Sequence, residues 1–211
     1  MKAVGIIGCG ELGRQILAQL GAVHPPGKVF RFDDPRSAKG EPDAFPFEAY
    51  LEPRFADADF YVGLGYRHLP LRAEIIRALL AAGRRVPALV HPSCHVAPSA
   101  RIGAGSLVYP LCNLDHQVEL EAGVMLNNSV VISHDSKIGA AACLSPGVVV
   151  AGYVTIGTAA FLGAGTLVAD HRRVGARAIA GIGTVITQDV PDDASVVGNP
   201  QRLLDRPLSL G

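Results

Sequence analysis

The chain has 211 residues, 49% of them hydrophobic, and its 19 Lys and Arg balance 19 Asp and Glu. That is enough apolar material for a core, in one large domain or two small ones, and the charge balance gives no ground for a nucleic-acid or anionic-membrane partner. The opening MKAVGIIGCG is too short for a membrane span and meets Gly and charge too soon for a signal peptide, so a cytoplasmic protein is expected.

From the N-terminus, Lys2 to Ile7 reads as a buried strand, Gly8-Cys9-Gly10-Glu11-Leu12-Gly13 as a GxGxxG turn, and Glu11 to Leu20 as an amphipathic helix. Lys28 to Phe32 reads as a second strand ending in Asp33-Asp34, twenty residues after Gly13. That spacing suits a phosphate at the helix N-terminus and an acid on a ribose. After a Pro-rich connection, Asp59 to Leu64 is a third strand, Leu71 to Ala82 a helix and Arg85 to Val90 a fourth strand. Strands alternating with helices imply a small parallel α/β domain over residues 1–90. A dinucleotide-using dehydrogenase does not fit, because no second mononucleotide half is visible in so short a span.

Residues 91–211 follow another rule. Stepping by six from Val96 reaches Ile102, Val108, Leu114 and so on to Ile186, and fifteen of the sixteen positions are Ile, Leu or Val, with Ala180 the exception. A period of six fits neither helix nor simple strand alternation. It fits a triangular prism in which each short strand and turn points one aliphatic residue inward, three sides and 18 residues to a coil, for about five coils. Four residues past each anchor the chain is small or β-branched, except at Arg172, whose side is expected to bulge outward. Directly after the anchor, Gly recurs at 103, 139, 157, 163, 175 and 181, where a tight corner would use a positive φ. The four cysteines, Cys9, Cys94, Cys112 and Cys143, lack CxxC spacing and read as free buried thiols.

The pattern aliphatic-Gly-x-x-small-x resembles that of the hexapeptide-repeat acyltransferases. Together with Leu89-Val90-His91-Pro92-Ser93, Val131-Ile132-Ser133-His134-Asp135-Ser136-Lys137-Ile138-Gly139 and the closing Val197-Gly198-Asn199-Pro200, the chain is similar over nearly its whole length to sugar O- and N-acyltransferases of the sialic-acid and bacillosamine type. The resemblance implies a Rossmann-like N-terminal domain, a left-handed parallel β-helix, a homotrimer, acetyl-CoA as co-substrate, and a nucleotide-linked amino sugar as acceptor. O-acylation and a non-catalytic trimeric scaffold are the alternatives.

An attacking amine must lose a proton, and a neutral imidazole accepts one near pH 7. The resemblance gives that role to His134, two residues past Ile132 on the outside of the prism, with Asp135 orienting it. His116, one coil earlier, should stack its ring on His134 at about 4.8 Å; the set 116, 134 and 171 does not match a zinc-binding pattern. Ser145, Gly163 and Gly181, one coil apart, form a column along which a pantetheine arm can lie. The resemblance adds Asn127, Cys143, Ala164 and Ile182 as CoA contacts. It assigns the nucleotide-sugar to Gly10, Glu11, Leu12, Asp33, Asp34 and Gly65, although Glu11-Leu12 departs from the Ser-Gly-His common at that loop and sets a carboxylate near a diphosphate. Basic residues around Arg172 and Arg173 are candidates for CoA phosphates. His91 belongs to the junction, and His24 and His68 read as surface residues.

Overall fold

Residues 2–23, 25–33 and 44–210 are described in the computed structural model, and the chain divides into two units, Met1–Leu89 and Val90–Gly211.

In the first unit, β1 (Val4–Ile7) is buried at all four positions, as a central parallel strand should be. It pairs in parallel with β2 (Val29–Asp33) and β4 (Asp59–Val62), and β3 (Ala44–Pro46) extends the sheet beyond β2, giving the order β3-β2-β1-β4. The sequence gives no sign of β3, because three residues ending in Pro carry no alternation; Pro is tolerated at such an edge. Helix α1 (Glu11–Val23) buries Gly13, Ile16, Gln19 and Leu20, one stripe of its surface. Helix α2 (Leu69–Ala81) buries Leu69, Arg72, Ile75, Ile76 and Leu79. The expected fourth strand over Arg85 to Val90 does not form as one piece. Arg85 makes an isolated parallel bridge to Asp59, and Leu89–Val90 belongs to the following architecture. Pro87 lies between them and has no N–H to continue a ladder.

The second unit is a solenoid of three parallel sheets and about six turns, consistent with a left-handed β-helix. Two-residue strands recur every six residues. One face stacks Leu107–Val108, Met125–Leu126, Cys143–Leu144, Phe161–Leu162 and Ile179–Ala180. The second stacks His95–Val96 through Val131–Ile132 and Val149–Val150 to Val185–Ile186. The third stacks Arg101–Ile102, Glu119–Leu120, Lys137–Ile138, Thr155–Ile156 and Arg173–Val174. Register advances by 18 residues at each step, so the anchors form three interior columns and residues such as Leu114, Ile132 and Val150 are fully buried. The small residues four positions later, among them Ser106, Ala142, Val148 and Thr166, are buried too.

The corner glycines serve a purpose other than the expected positive φ. At the residue directly after the anchor, an added Cβ would lie 2.4 Å from the Glu121 carbonyl carbon at Gly103 and 2.4 Å from the Ala176 nitrogen at Gly157. No real Cβ sits so close to backbone, so glycine is needed there because the next coil passes directly against it. The left-handed conformation falls two residues later, at Gly105, Gly123, Gly147, Gly165 and Gly183, and also at non-glycine residues including Leu111, Asp135, Tyr153 and His171. Nor does the backbone bulge at Arg172. Its carbonyl accepts from Thr155 N at 3.0 Å, the neighbouring His171 N–H reaches Gly152 O at 3.0 Å, and its own Nε folds back to Asp170 O at 3.1 Å. The long side chain turns out of the interior at that slot while the backbone ladder stays intact.

Candidate active site

His134 lies on the edge between the second and third faces, in the turn from Ile132 to Lys137. Two features hold that turn. Ser133 N–H donates to Val150 O at 2.9 Å and Asp135 N–H to His116 O at 2.9 Å. Below them the buried Ser136 hydroxyl donates to Ala151 O at 2.9 Å and accepts from Val154 N at 3.1 Å. Asp135 adopts φ 57, a left-handed conformation that Asp tolerates better than most residues. From there its Oδ2 stands 3.0 Å from His134 Nδ1. A carboxylate can only accept, so Nδ1 carries a proton, and in the neutral ring Nε2 presents a lone pair. The imidazole is half-exposed, at 48%. Asp135 thus reaches the ring directly.

Two residues that sequence reasoning missed complete this edge. Gly152 sits one coil beyond His134, and a Cβ there would lie 2.8 Å from His134 Cε1 and 2.9 Å from Nε2. Only a residue without a side chain leaves the basic nitrogen uncovered. Adding one coil of 18 residues to 134 would have pointed to it. Tyr153 follows, its ring at 87° to the imidazole with centroids 5.2 Å apart. Its other neighbour is His171, stacked at 4.8 Å and 9°.

The expected stack of His116 on His134 does not occur. His116 Nδ1 pairs instead with Ser99 Oγ at 2.9 Å, and that hydroxyl also accepts from Gln117 N at 3.0 Å. The coil below thus engages His116 before its ring can meet His134. Among the described residues, no three His, Cys, Asp or Glu side chains are grouped to hold a metal ion.

The candidate CoA residues occupy another edge, between the first and second faces. Asn127 opens one turn there, with its Oδ1 accepting from Asn128 N at 2.8 Å. Ser145, Gly163 and Gly181 line the same edge in successive coils, hydrogen-bonded to Leu162 O, Ala180 O and Val196 O at 2.8–2.9 Å. A side chain at Gly163 would meet Ile182 N at 2.7 Å, so this column is smooth because the next coil demands it. Ala164 is half-buried, whereas Ile182 is 82% exposed, a large apolar group with no cover from its own chain. Cys143 lies apart from them, in a strand of the first face and 3% exposed. Burial pushes the thiol of another prism cysteine, Cys112, up to about 12. One copy of the chain therefore presents His134 and the Ser145–Gly163–Gly181 column on opposite edges of the second face.

In the first unit, the GxGxxG turn closes on itself. Gly8 takes φ +90, and a side chain at Gly13 or Gly63 would strike Gly8 O at 2.2 or 2.5 Å, so the three glycines interlock where β1, α1 and β4 converge. Asp33 Oδ2 accepts from Cys9 N at 2.5 Å, so the acid read as a ribose ligand also braces the loop. Asp34 lies outside the described residues, as does His24. Gly10 and Gly65 have open space where a Cβ would stand. Leu12 is half-buried at the first turn of α1. Glu11 turns along the helix to Arg14 Nη2 at 2.9 Å and Gln15 Nε2 at 3.4 Å, and the Arg14 hydrogen bond holds its carboxyl below the usual range. The charge that looked unfavourable beside a diphosphate is paired away from the loop. Arg72, which the sequence pattern did not single out, is fully buried and donates from Nη1 to Val62 O and to Leu64 O at 3.4 Å, fixing the end of β4 that leads to Gly65.

The prism with a His–Asp pair on an open edge is the architecture of an acyltransferase of the hexapeptide-repeat class. Comparison with solved structures narrows this. The acetyltransferase domain of PglB from Neisseria gonorrhoeae is 30% identical, matches 97% of this chain and 100% of its own, and superposes with a TM-score of 0.86; a structure of that domain with acetyl coenzyme A matches equally well at 0.86. PerB from Caulobacter crescentus, in complex with CoA and GDP-perosamine, is 29% identical over 97% of this chain and 98% of its own, with a TM-score of 0.87. WeeI from Acinetobacter baumannii, at 19% identity and a TM-score of 0.74, shares the fold. No protein-family model matches the chain, and no curated protein matches it by sequence. The chain belongs to the bacterial sugar acetyltransferases of the hexapeptide-repeat family.

Proposed function

We propose that the protein is an acetyl-CoA-dependent N-acetyltransferase that acts on an amino group of a nucleotide-linked amino sugar, with His134 as general base. The observation that carries this reading is the His134 Nδ1 to Asp135 Oδ2 pair at 3.0 Å, with Gly152 clearing the space over Nε2. Similarity to a domain that binds acetyl coenzyme A and to an enzyme that binds CoA and GDP-perosamine supports the donor and the acceptor class.

The chemistry follows from the lone pair on Nε2. A neutral sugar amine attacks the thioester carbonyl carbon and gives its proton to Nε2, while Asp135 stabilises the imidazolium that forms. The tetrahedral intermediate collapses, the C–S bond breaks, and the proton passes from the imidazolium to the departing CoA sulfur. The products are an N-acetyl sugar and free CoA thiol. General-base assistance of this kind contributes roughly 10²- to 10⁴-fold.

The donor column and the base lie on opposite edges of the second face, and that face carries exposed Val149 and Leu167. A homotrimer that packs these faces together would bring the column of one copy to the base of the next and cover the apolar side chains. In this reading the prism is left-handed. The first unit is Rossmann-like, and Gly10, Leu12, Asp33, Asp34 and Gly65 hold the nucleotide. The column accommodates pantetheine, flanked by Asn127, Ala164 and Ile182. Cys143 contributes from the strand behind, and Arg172 and Arg173 attract the phosphates. Free thiols and a CoA thioester as donor suit the cytoplasm.

The test is release of CoA thiol from acetyl-CoA in the presence of a panel of nucleotide-linked amino sugars and their hydroxyl counterparts. An amino sugar should stimulate release and His134→Ala should abolish it. Stimulation by hydroxyl acceptors alone would reassign the enzyme to O-acetylation, and no stimulation by any acceptor would favour a scaffold.

A further inference from the structure

Tyr153 has no task in the reaction just described, yet it touches the base. We propose that Tyr153, clamped by His171, is a positioning residue that sets the ring plane of His134. The inference rests on His134 being the base.

A single hydrogen bond fixes the tautomer of His134 but leaves its ring able to swing about the Nδ1 contact. The clearance at Gly152 that opens Nε2 to an acceptor also removes a wall that would otherwise hold the imidazole. Tyr153 replaces that wall. Its ring meets the imidazole at 87° and 5.2 Å, within the range in which perpendicular aromatic pairs attract.

Tyr153 cannot easily follow a movement of its neighbour. Its backbone N–H donates to His134 O at 3.1 Å and its φ is 58. On the far side His171 stacks on it at 4.8 Å and 9°, and His171 is itself tied by its N–H to Gly152 O at 3.0 Å. The chain thus sets Asp135, His134, Tyr153 and His171 in one row up the edge.

The fold does not require aromatics there. At the equivalent left-handed position other turns hold glycine, as at Gly123, Gly147 and Gly165, or a non-aromatic side chain, as at Gln117, Ser129, Ala141, Ala159 and Arg177. Tyr153 is 52% exposed, so burial does not account for it either. Two rings on adjacent coils, both in a conformation unfavourable to them, one against the base and the other stacked behind it, are explained by the row they form with it.

Steady-state kinetics with acetyl-CoA and an accepted amino sugar provide the test. Tyr153→Ala should lower kcat about 3- to 10-fold, the range of one aromatic contact, with both KM values within about twofold. Tyr153→Phe keeps the ring and should restore more than half of the loss. His171→Ala should cause a smaller fall, and should add nothing to Tyr153→Ala. Nitrogen-15 spectra of the imidazole should show exchange broadening for His134 in Tyr153→Ala and sharp lines in Tyr153→Phe. Wild-type kcat in Tyr153→Ala would overturn the proposal, as would a loss confined to the KM of the sugar, or a Tyr153→Phe enzyme as slow as Tyr153→Ala. His134→Ala in the same series keeps the two claims apart: an inactive His134→Ala beside a fully active Tyr153→Ala removes the role of Tyr153 and leaves the base in place.

Discussion

Replacing Gly152 by Ala is the sharpest perturbation of the edge that carries His134, the proposed base. The new methyl carbon would stand 2.8 Å from His134 Cε1 and 2.9 Å from Nε2, inside the closest approach that carbon makes to either atom. The backbone gives no other reason for a large effect, because Gly152 has no positive φ to forfeit. The imidazole must therefore swing, and among the described residues the only hydrogen bond from its ring to a side chain is the 3.0 Å contact to Asp135. Displacing a reacting nitrogen by about 1 Å costs on the order of 10²-fold in rate. Covering Nε2 adds to this by obstructing the proton transfer itself. We predict that Gly152→Ala lowers kcat about 100-fold in the thiol-release assay, while the half-exposed ring rearranges at little cost to folding and Tm stays within about 4 °C. Activity within about threefold of wild type would refute the reasoning, since a methyl group so close to the base could then be accommodated without consequence.

Other consequences are equally specific. Gly157→Ala places a Cβ 2.4 Å from Ala176 N in the next coil and should destabilise the protein by about 3 kcal/mol, whereas Gly165→Ala, at φ +68 with open space around it, should cost only about 1 kcal/mol; urea unfolding measures both. Arg72→Met strands the carbonyls of Val62 and Leu64 and should cost about 2–3 kcal/mol, seen as a fall in Tm. The Cys112 thiol, pushed up to about 12 by burial, should resist alkylation at pH 8 until the chain unfolds. Because its folded value lies above the unfolded one near 9, stability should decline as pH rises through the window from about 9 to about 12.

Most of the prism was legible because a period of six has one structural solution and each aliphatic anchor reports it independently. The use of glycine was not, because sequence shows where Gly recurs but not whether the constraint is a dihedral angle or a neighbouring coil. Gly103 and Gly157 owe their identity to the second. The resemblance pointed to His134 and Asp135, and the repeat set them on the outside of the prism. Gly152 and Tyr153 went unread: the step of 18 residues points to their positions, but not to how closely the rings and backbone approach there. His116 shows the converse: register puts it under His134, yet Ser99 from the preceding coil captures its ring. In the first unit the strand–turn–helix signal fixed β1 and α1, while Pro87 ended the last strand early and Arg72 looked like one more exposed helical arginine.

The central claim is that a sugar amine is acetylated with His134 as the base. Acetyl-CoA labelled with carbon-13 at the carbonyl, incubated with a nucleotide-linked amino sugar and the wild-type enzyme, should give an amide carbon resonance, and His134→Ala should form it at least about 100-fold more slowly. An ester resonance from a hydroxyl acceptor, or an amide formed by His134→Ala at the wild-type rate, would contradict the account.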